Sequence, residues 1–228
     1  MIIFDTILLG LAIVVCIYAS LLIHEAGHVI SARMLGIGVR SVIIGNGPNL
    51  IRSSIGKTSL SFKLFPIRAC VEYNVEHVLS VSTFKKISMS LSGPLVSIIV
   101  FGATYFLYVN LSPSGVIPGT DLYSLYIEYG HIPGIPGIFY GLFCQITKGF
   151  INIVLIFSLL NLLMFCMAML PFVDHDFGKS IFNLIDWYDP DFKSPTGHIY
   201  IMASNVSKSV FALTVFALSV LDIYRFVT

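Results

Sequence analysis

The sequence predicts a mainly α-helical membrane protein with three core transmembrane helices, a fourth helix near the C-terminus, and a small membrane-associated β-hairpin or sheet between the first two. Of 228 residues, 56% are apolar and only 11% are charged, against about 25% charged in an ordinary soluble domain. The apolar residues also fall in runs of about 20, the length that crosses a bilayer core. We therefore expect a single polytopic domain over residues 1–228, with a core at about 1–182 and an extra helix at about 206–227.

The first half of the chain has two apolar runs on either side of a more polar segment. Residues 2–23 form the first run, which is interrupted only by Asp5, and residues 87–111 form the second, which has no charge. Between them, residues 39–44 and 58–64 have the composition and partial alternation of strands. Glycine-containing turn sequences follow the first of these segments and precede the second. A hairpin or small sheet against the membrane is the expected result.

The second half supplies the remaining helices and the orientation. Residues 150–172 form the third apolar run, and 206–227 form a fourth that carries two charges near its end. Eight of the thirteen Lys and Arg lie between Arg33 and Lys86. Because cytosolic loops are enriched in positive charge, this loop is expected in the cytosol and the N-terminus outside. The ends of the first and third runs then share the cytosolic face.

One motif in the sequence indicates catalytic chemistry: His24-Glu25-Ala26-Gly27-His28, at the cytosolic end of the first run. Histidines four residues apart share one face of a helix, so both imidazoles reach the same metal ion. Glu25 is close enough to contact a water on that ion without being a ligand. Zinc lowers the pKa of such a water towards about 7, and the carboxylate takes its proton and passes it to the leaving amine. Ionisable groups in an apolar helix are costly unless they are partnered, which favours a functional site.

A catalytic zinc usually has three protein ligands and leaves its fourth position to water. The third run leads into a segment that contains Asp174, His175 and Asp176. By the orientation above, this segment emerges on the same face as His24 and His28. All three side chains are chemically able to bind zinc, and spacing alone does not choose among them. We expect one zinc ion per chain.

Several motifs together resemble those of the site-2 protease family of intramembrane zinc metalloproteases. The His-Glu-Ala-Gly-His sequence is similar to the family signature, and residues 45–50 are similar to its G-x-G-P-x-L stretch. Ser-Gly-Pro-Leu at 92–95 resembles the entry to its second core helix. Leu-Pro at 170–171 with Asp-Phe-Gly-Lys at 176–179 resembles its N-x-x-P-x-x-x-L-D-G motif. The resemblance covers about residues 10–182.

This resemblance implies roles for individual residues. His24 and His28 would bind zinc, Glu25 would be the catalytic base, and Asp176, five residues after the motif proline, would be the third ligand rather than Asp174.

The chain departs from the family pattern where asparagines are thought to engage the substrate backbone. Ser97 stands in place of one, and Ala168 in place of the other, with Asn161 two helical turns before that position. Asn161 is therefore a candidate substrate contact. The loop at about 112–148 is too short for the PDZ domain that many members insert.

We expect an intramembrane zinc endopeptidase that cuts a transmembrane or membrane-proximal segment of another membrane protein near the cytosolic face of the lipid bilayer. A helical substrate must unwind before water attacks it, so the predicted hairpin would pair with the extended segment, with Ser61 on the pairing edge. Two alternatives are a pseudoprotease that binds membrane helices without cutting them and a metal-ion transporter. The net charge of +1 supplies no basic field for a nucleic acid.

Overall fold

The computed structural model describes the backbone of residues 2–111, 150–188 and 196–227, and the side chains of residues 10–111, 153–185 and 198–214. In chain order the elements are helix α1 (Ile2–Met34), strands β1 (Val39–Ile55) and β2 (Thr58–Tyr73), and helices α2 (Val75–Ser80), α3 (Thr83–Leu111), α4 (Phe150–Ala168), α5 (Asp176–Tyr188) and α6 (Thr196–Val227). The expectation of a mainly helical fold with a small sheet after the first long helix is confirmed.

Two helices of the described chain are long and apolar enough to cross a membrane, over Gly10–Met34 and Thr83–Leu111. In α4 the apolar part is shorter, Ile153–Ala168. The prediction that the third run continues to residue 172 is wrong for the helix, because Pro171 disfavours helical geometry in the residue before it. Helix α6, which corresponds to the fourth predicted transmembrane helix, begins at residue 196, well before the predicted 206. The loop predicted at 112–148 lies outside the described residues.

The two strands form one antiparallel sheet and are longer than the sequence predicts. The Gly-Asn-Gly-Pro segment at 45–48 is not a turn between strands but a bend inside β1, where Gly45 and Gly47 have φ of 94° and 87°. Because the strands bend, residues 41–44 lie opposite both 59–62 and 69–72, and 51–55 also lie opposite 58–62. The sheet therefore has four rows, with 51–55 and 69–73 at its outer edges.

Small polar side chains lie where the three central helices pack together. Ser158 of α4 donates to the carbonyl of Phe101 in α3 at 3.1 Å, and Asn161 of α4 donates to Ser20 Oγ in α1 at 3.2 Å. Small residues let helix backbones approach closely, and such hydrogen bonds satisfy polar groups in an apolar setting. This packing holds α1, α3 and α4 in one bundle.

A hydrophobic cluster joins the lower part of this bundle to the sheet. Its buried members include Leu21 and Ala32 of α1, Val42 and Ile44 of β1, and Met89 of α3. The row at 39–44 is thereby packed beside the end of α1 that carries the two motif histidines.

Candidate metal centre

Three potential metal ligands converge between α1 and the start of α5. Asp176 Oδ2 lies 3.0 Å from His24 Nε2 and 3.2 Å from His28 Nε2. One donor atom from each of the three residues falls within 4.8 Å of the others. All three residues are buried, with exposed fractions of 4%, 5% and 9% for His24, His28 and Asp176. The cluster joins residues about 150 positions apart in sequence.

Local structure explains why these side chains meet. The α1 helix runs unbroken through the motif, so His24 and His28 lie one turn apart on the same face. Asp176 is the first residue of α5. The N-terminus of a helix carries a partial positive charge, which stabilises an ionised carboxylate at that position.

Each imidazole is also held at its other nitrogen. His24 Nδ1 lies 2.9 Å from Ser97 Oγ, and His28 Nδ1 lies 2.8 Å from the carbonyl oxygen of Met89, both on α3. Metal-binding histidines commonly use their second ring nitrogen in this way, which fixes the tautomer and the direction of the ring. Helix α3 therefore orients both imidazoles of α1 towards Asp176.

The donor set fits a divalent cation such as zinc. Because the Met89 carbonyl only accepts hydrogen bonds, His28 Nδ1 must carry the proton, and the neutral ring then has a lone pair on Nε2. That lone pair faces the Asp176 carboxylate at 3.2 Å. Two acceptors at this distance need a cation between them, either a proton or a metal ion. Two imidazole nitrogens and one carboxylate oxygen are a common ligand set for catalytic zinc.

Three glycines provide the space that the site needs. A Cβ atom at Gly93 would lie 2.3 Å from His28 Nε2, and one at Gly27 would lie 2.7 Å from the backbone oxygen of Ser92. A Cβ atom at Gly178 would lie 1.7 Å from the backbone oxygen of Phe172. A side chain at Gly93 would therefore displace the ring of His28, one at Gly27 would separate α1 from α3, and one at Gly178 would disturb the entry to α5.

Asp176 has a further partner on its second oxygen. Lys179 Nζ donates to Asp176 Oδ1 at 3.1 Å, while Oδ2 faces the imidazoles. Burial raises the pKa of the Asp176 carboxyl, but the contacts with the two imidazoles and the charge of Lys179 outweigh burial and hold the pKa below its ordinary range. The carboxyl group is therefore ionised at neutral pH, as a metal ligand must be.

The other two ligand candidates of this segment have different surroundings. The Asp174 side chain is 65% exposed and pairs with Lys208 of α6, which lowers the pKa of Asp174. The ring of His175 packs on Phe172, with ring centroids 5.5 Å apart. Among these three neighbours, Asp176 alone contributes to the cluster found in the described part of the chain.

Helix α6 holds the segment that carries Asp176. Tyr200 donates its hydroxyl to the carbonyls of Pro171 and Gly178 at 3.0 and 3.2 Å. Ser204 Oγ accepts from the backbone N–H of Val173 at 2.9 Å. Sequence reasoning missed these contacts. The signal was present, because Tyr200, Ser204 and Lys208 recur every four residues and so share one face of the helix.

Glu25 lies with the three ligand candidates on a cavity of about 890 Å³. Its side chain is buried, at 6% exposure. Residues 67–71, which lead into and begin the outer row of the sheet, all line the same cavity. Successive side chains of a strand point to opposite faces. Because the cavity contacts consecutive residues and not alternate ones, we interpret it as adjoining the edge of the strand rather than one face.

The two predicted substrate contacts lie away from this cavity. Ser61 is 6% exposed and lies in an inner row, opposite both Ile43 and Arg52. Asn161 is fully buried between α4 and α1, and its Oδ1 has no hydrogen-bond partner among the described residues. The structure does not bring either residue to the candidate site. The outer row that lines the cavity is the one at 69–73, whereas the row that contains Ser61 has a paired row on each side.

Comparison with known proteins supports a hydrolytic interpretation of this site. The profile of peptidase family M50 matches residues 12–214. The "Putative zinc metalloprotease" of Chlamydia trachomatis is 32% identical over 110 aligned residues, which cover 38% of this chain and 18% of that protein. A protein of the same description from Clostridium perfringens is 33% identical over 89 residues, covering 39% of this chain and 26% of that protein. The matches thus span about a fifth to a quarter of these relatives.

Proposed function

The chain belongs to peptidase family M50, the site-2 protease family that its motifs resemble, and we propose that it is an intramembrane zinc endopeptidase. Its substrate is a transmembrane or membrane-proximal segment of another membrane protein. The observation that carries the proposal is the convergence of His24, His28 and Asp176 beside the buried Glu25. The residues present supply three ligands and one additional carboxylate, the set that zinc-assisted peptide hydrolysis requires.

The roles of the residues follow from their chemistry. His24, His28 and Asp176 would hold one zinc ion, which when bound supplies a Lewis acid that polarises the peptide carbonyl and makes water more acidic. Glu25 accepts a proton from the attacking water while the water oxygen forms a bond to the carbonyl carbon. Glu25 then delivers that proton to the amine nitrogen as the C–N bond breaks. Ser97 and the Met89 carbonyl keep both imidazoles aligned throughout.

The chain would work within a bilayer, as a single domain with its N-terminus outside and its site near the cytosolic face. Two apolar helices of sufficient length support the membrane setting, with α4 and α6 proposed as the third and fourth spans. The excess of Lys and Arg between the first two long helices supports the orientation. Burial of the ligands among helices keeps the ionic site away from lipid.

An extended substrate would pair with the outer row of the sheet at 69–73. One edge of this row pairs with residues 39–44, and the other edge has no partner strand among the described residues. The cavity that contains Glu25 is lined by residues of the same row. Strand addition satisfies the backbone of an unwound segment and presents its peptide bond to the site. The variants Cys70→Pro and Val71→Pro test this pairing. Adjacent residues point their N–H groups to opposite edges of the strand, so one of the two prolines removes an N–H from the edge that faces the cavity. One of the two variants should keep zinc and lose cleavage, and full cleavage by both would contradict the pairing.

Zinc content per chain tests the metal site directly. Detergent-purified protein should hold about one zinc, the number that one three-ligand site binds. His24→Ala and Asp176→Ala should lose it, whereas the matched control Asp174→Ala should keep it because Asp174 points to Lys208. Metal-replete protein without zinc, or equal loss in both aspartate variants, would contradict the ligand assignment.

The Glu25→Gln variant separates binding of the metal from catalysis. It should retain zinc, because Glu25 is not a ligand, and lose cleavage of a reporter protein with one transmembrane segment in reconstituted vesicles. Zinc-loaded wild type that binds the reporter without cutting it would instead favour the pseudoprotease. Zinc flux into sealed vesicles without cleavage would favour the transporter.

A further inference from the structure

The cavity around the candidate metal centre carries more cations than its own carboxylates neutralise. Four residues with cationic side chains line it, Arg68, Lys86, Lys179 and Lys208, together with three that carry carboxylates, Glu25, Asp174 and Asp176. Lys179 pairs with Asp176 and Lys208 pairs with Asp174. Glu25 is the proposed proton carrier beside the metal. Bound zinc would add two further positive charges to the cavity.

Two of the cations, Arg68 and Lys86, have no ion pair within the described ranges. Arg68 is exposed on β2 beside the open row of the sheet, and Lys86 is half-buried on α3. Arg68 is close enough to Cys70 and Asp174 to influence both electrostatically. Surface lysines commonly extend into water or towards lipid, and Lys85, the exposed neighbour of Lys86, is not among the residues that line this cavity. Arg68 and Lys86 are instead among the residues that line it.

We propose that Arg68 and Lys86 recognise a carboxylate on the substrate, so that the enzyme prefers segments with Asp or Glu near the cleaved bond. The proposal rests on the proposed function, because it assumes an extended segment along residues 69–73. Such a segment would pass Arg68 on the sheet side and Lys86 on the helix side. A cavity with low-dielectric walls and excess positive charge attracts anionic groups more strongly than open water does. A carboxylate on the substrate would also offset the positive charge of the zinc-loaded site.

Peptide binding to zinc-loaded, full-length Glu25→Gln protein in neutral detergent tests this preference. The probes are fluorescent short apolar peptides that are identical except for one Glu or Gln, which is moved along the sequence in successive pairs. In the best pair, the Glu peptide should bind about three- to ten-fold tighter than the Gln peptide, the range for one or two partly solvated ion pairs. The preference should shrink at high salt as the charges are screened.

Charge variants show whether these two residues are responsible. In the double variant Arg68→Gln with Lys86→Gln, the Glu and Gln peptides should bind equally. The matched control Arg52→Gln with Lys85→Gln removes the same charge outside the cavity and should keep the preference. The reversed variant Arg68→Glu with Lys86→Glu should prefer a Lys peptide over a Gln peptide, a gain that misfolding does not produce. Zinc content of every variant verifies its fold.

Three outcomes would overturn the proposal. The first is no Glu preference in any pair, and the second is a preference that survives in the double Gln variant. The third is a double Gln variant that keeps the peptide preference but loses anionic phospholipid that the wild type binds. None of these would affect the proposed protease function. That function fails by a different result, the absence of zinc or of cleavage that depends on Glu25.

Discussion

Replacing Ser97 with alanine tests how the first imidazole of the centre is held. Ser97 is fully buried, and its Oγ lies 2.9 Å from His24 Nδ1. When His24 Nε2 binds a metal, Nδ1 carries the proton of the neutral ring and donates it to this oxygen. The Ser97→Ala variant removes the acceptor and leaves a buried N–H group without a partner.

The size of the effect follows from the cost of that unpaired donor. A buried donor without an acceptor costs about 1–3 kcal/mol, which is about a five- to 150-fold loss of zinc affinity. Removal of the group that orients a metal-bound histidine costs about 10- to 100-fold in other metal sites. We therefore expect Ser97→Ala to bind zinc roughly 10- to 100-fold more weakly than wild type.

Competitive zinc titration against a chromophoric chelator measures this loss, and Ser158→Ala is the matched control. Ser158 is equally buried, but its hydroxyl donates to the Phe101 carbonyl, away from the centre. Both variants remove one buried hydroxyl, so both should lower stability by about 1 kcal/mol. If Ser97→Ala bound zinc within about two-fold of the Ser158→Ala value, less than the 10-fold lower bound above, the proposed orienting role would be refuted.

Three further changes probe the surroundings of the centre. Gly93→Ala should abolish zinc binding because the new Cβ would lie 2.3 Å from His28 Nε2, whereas Gly102→Ala on the same helix meets nothing within 4 Å and should keep it; metal analysis of both compares them. Lys179→Gln should weaken zinc binding by less than about five-fold, since its side chain is 53% exposed and such ion pairs contribute at most about 1 kcal/mol; a titration that shows a larger loss would make Lys179 more than an exposed partner. Ser204→Ala should lower the free energy of unfolding by about 1 kcal/mol by leaving the Val173 N–H without its acceptor; an unchanged denaturant midpoint would contradict this.

The parts of the site that the sequence predicts are those that depend on local geometry. His24 and His28 lie four residues apart in an apolar run, and helical periodicity alone places them on one face. The position of Asp176 depended on a resemblance between motifs, because no rule of spacing relates residues about 150 positions apart. In the structure its Oδ2 lies beside both imidazoles.

The parts that the sequence did not predict depend on how elements fold against each other. Residues 45–48 have the composition of a turn, yet positive φ values at two glycines bend β1 without ending it. The continued strand at 51–55 then covers the second side of the row that contains Ser61, so that row is internal and the outer rows are 51–55 and 69–73. Strand signals report which residues are extended, but register decides which of them lie at an edge.

Helix α6 has a structural role that no sequence motif indicates. From sequence, this helix is an addition to a core that ends at about residue 182, because no known motif falls within it. In the structure, one face of α6 contacts the Asp176-bearing segment at three points, through Tyr200, Ser204 and Lys208. The segment between Ala168 and α5 has few backbone hydrogen bonds of its own. Its shape, and with it the position of the Asp176 carboxylate, therefore depends on a helix that contributes no ligand and no catalytic group.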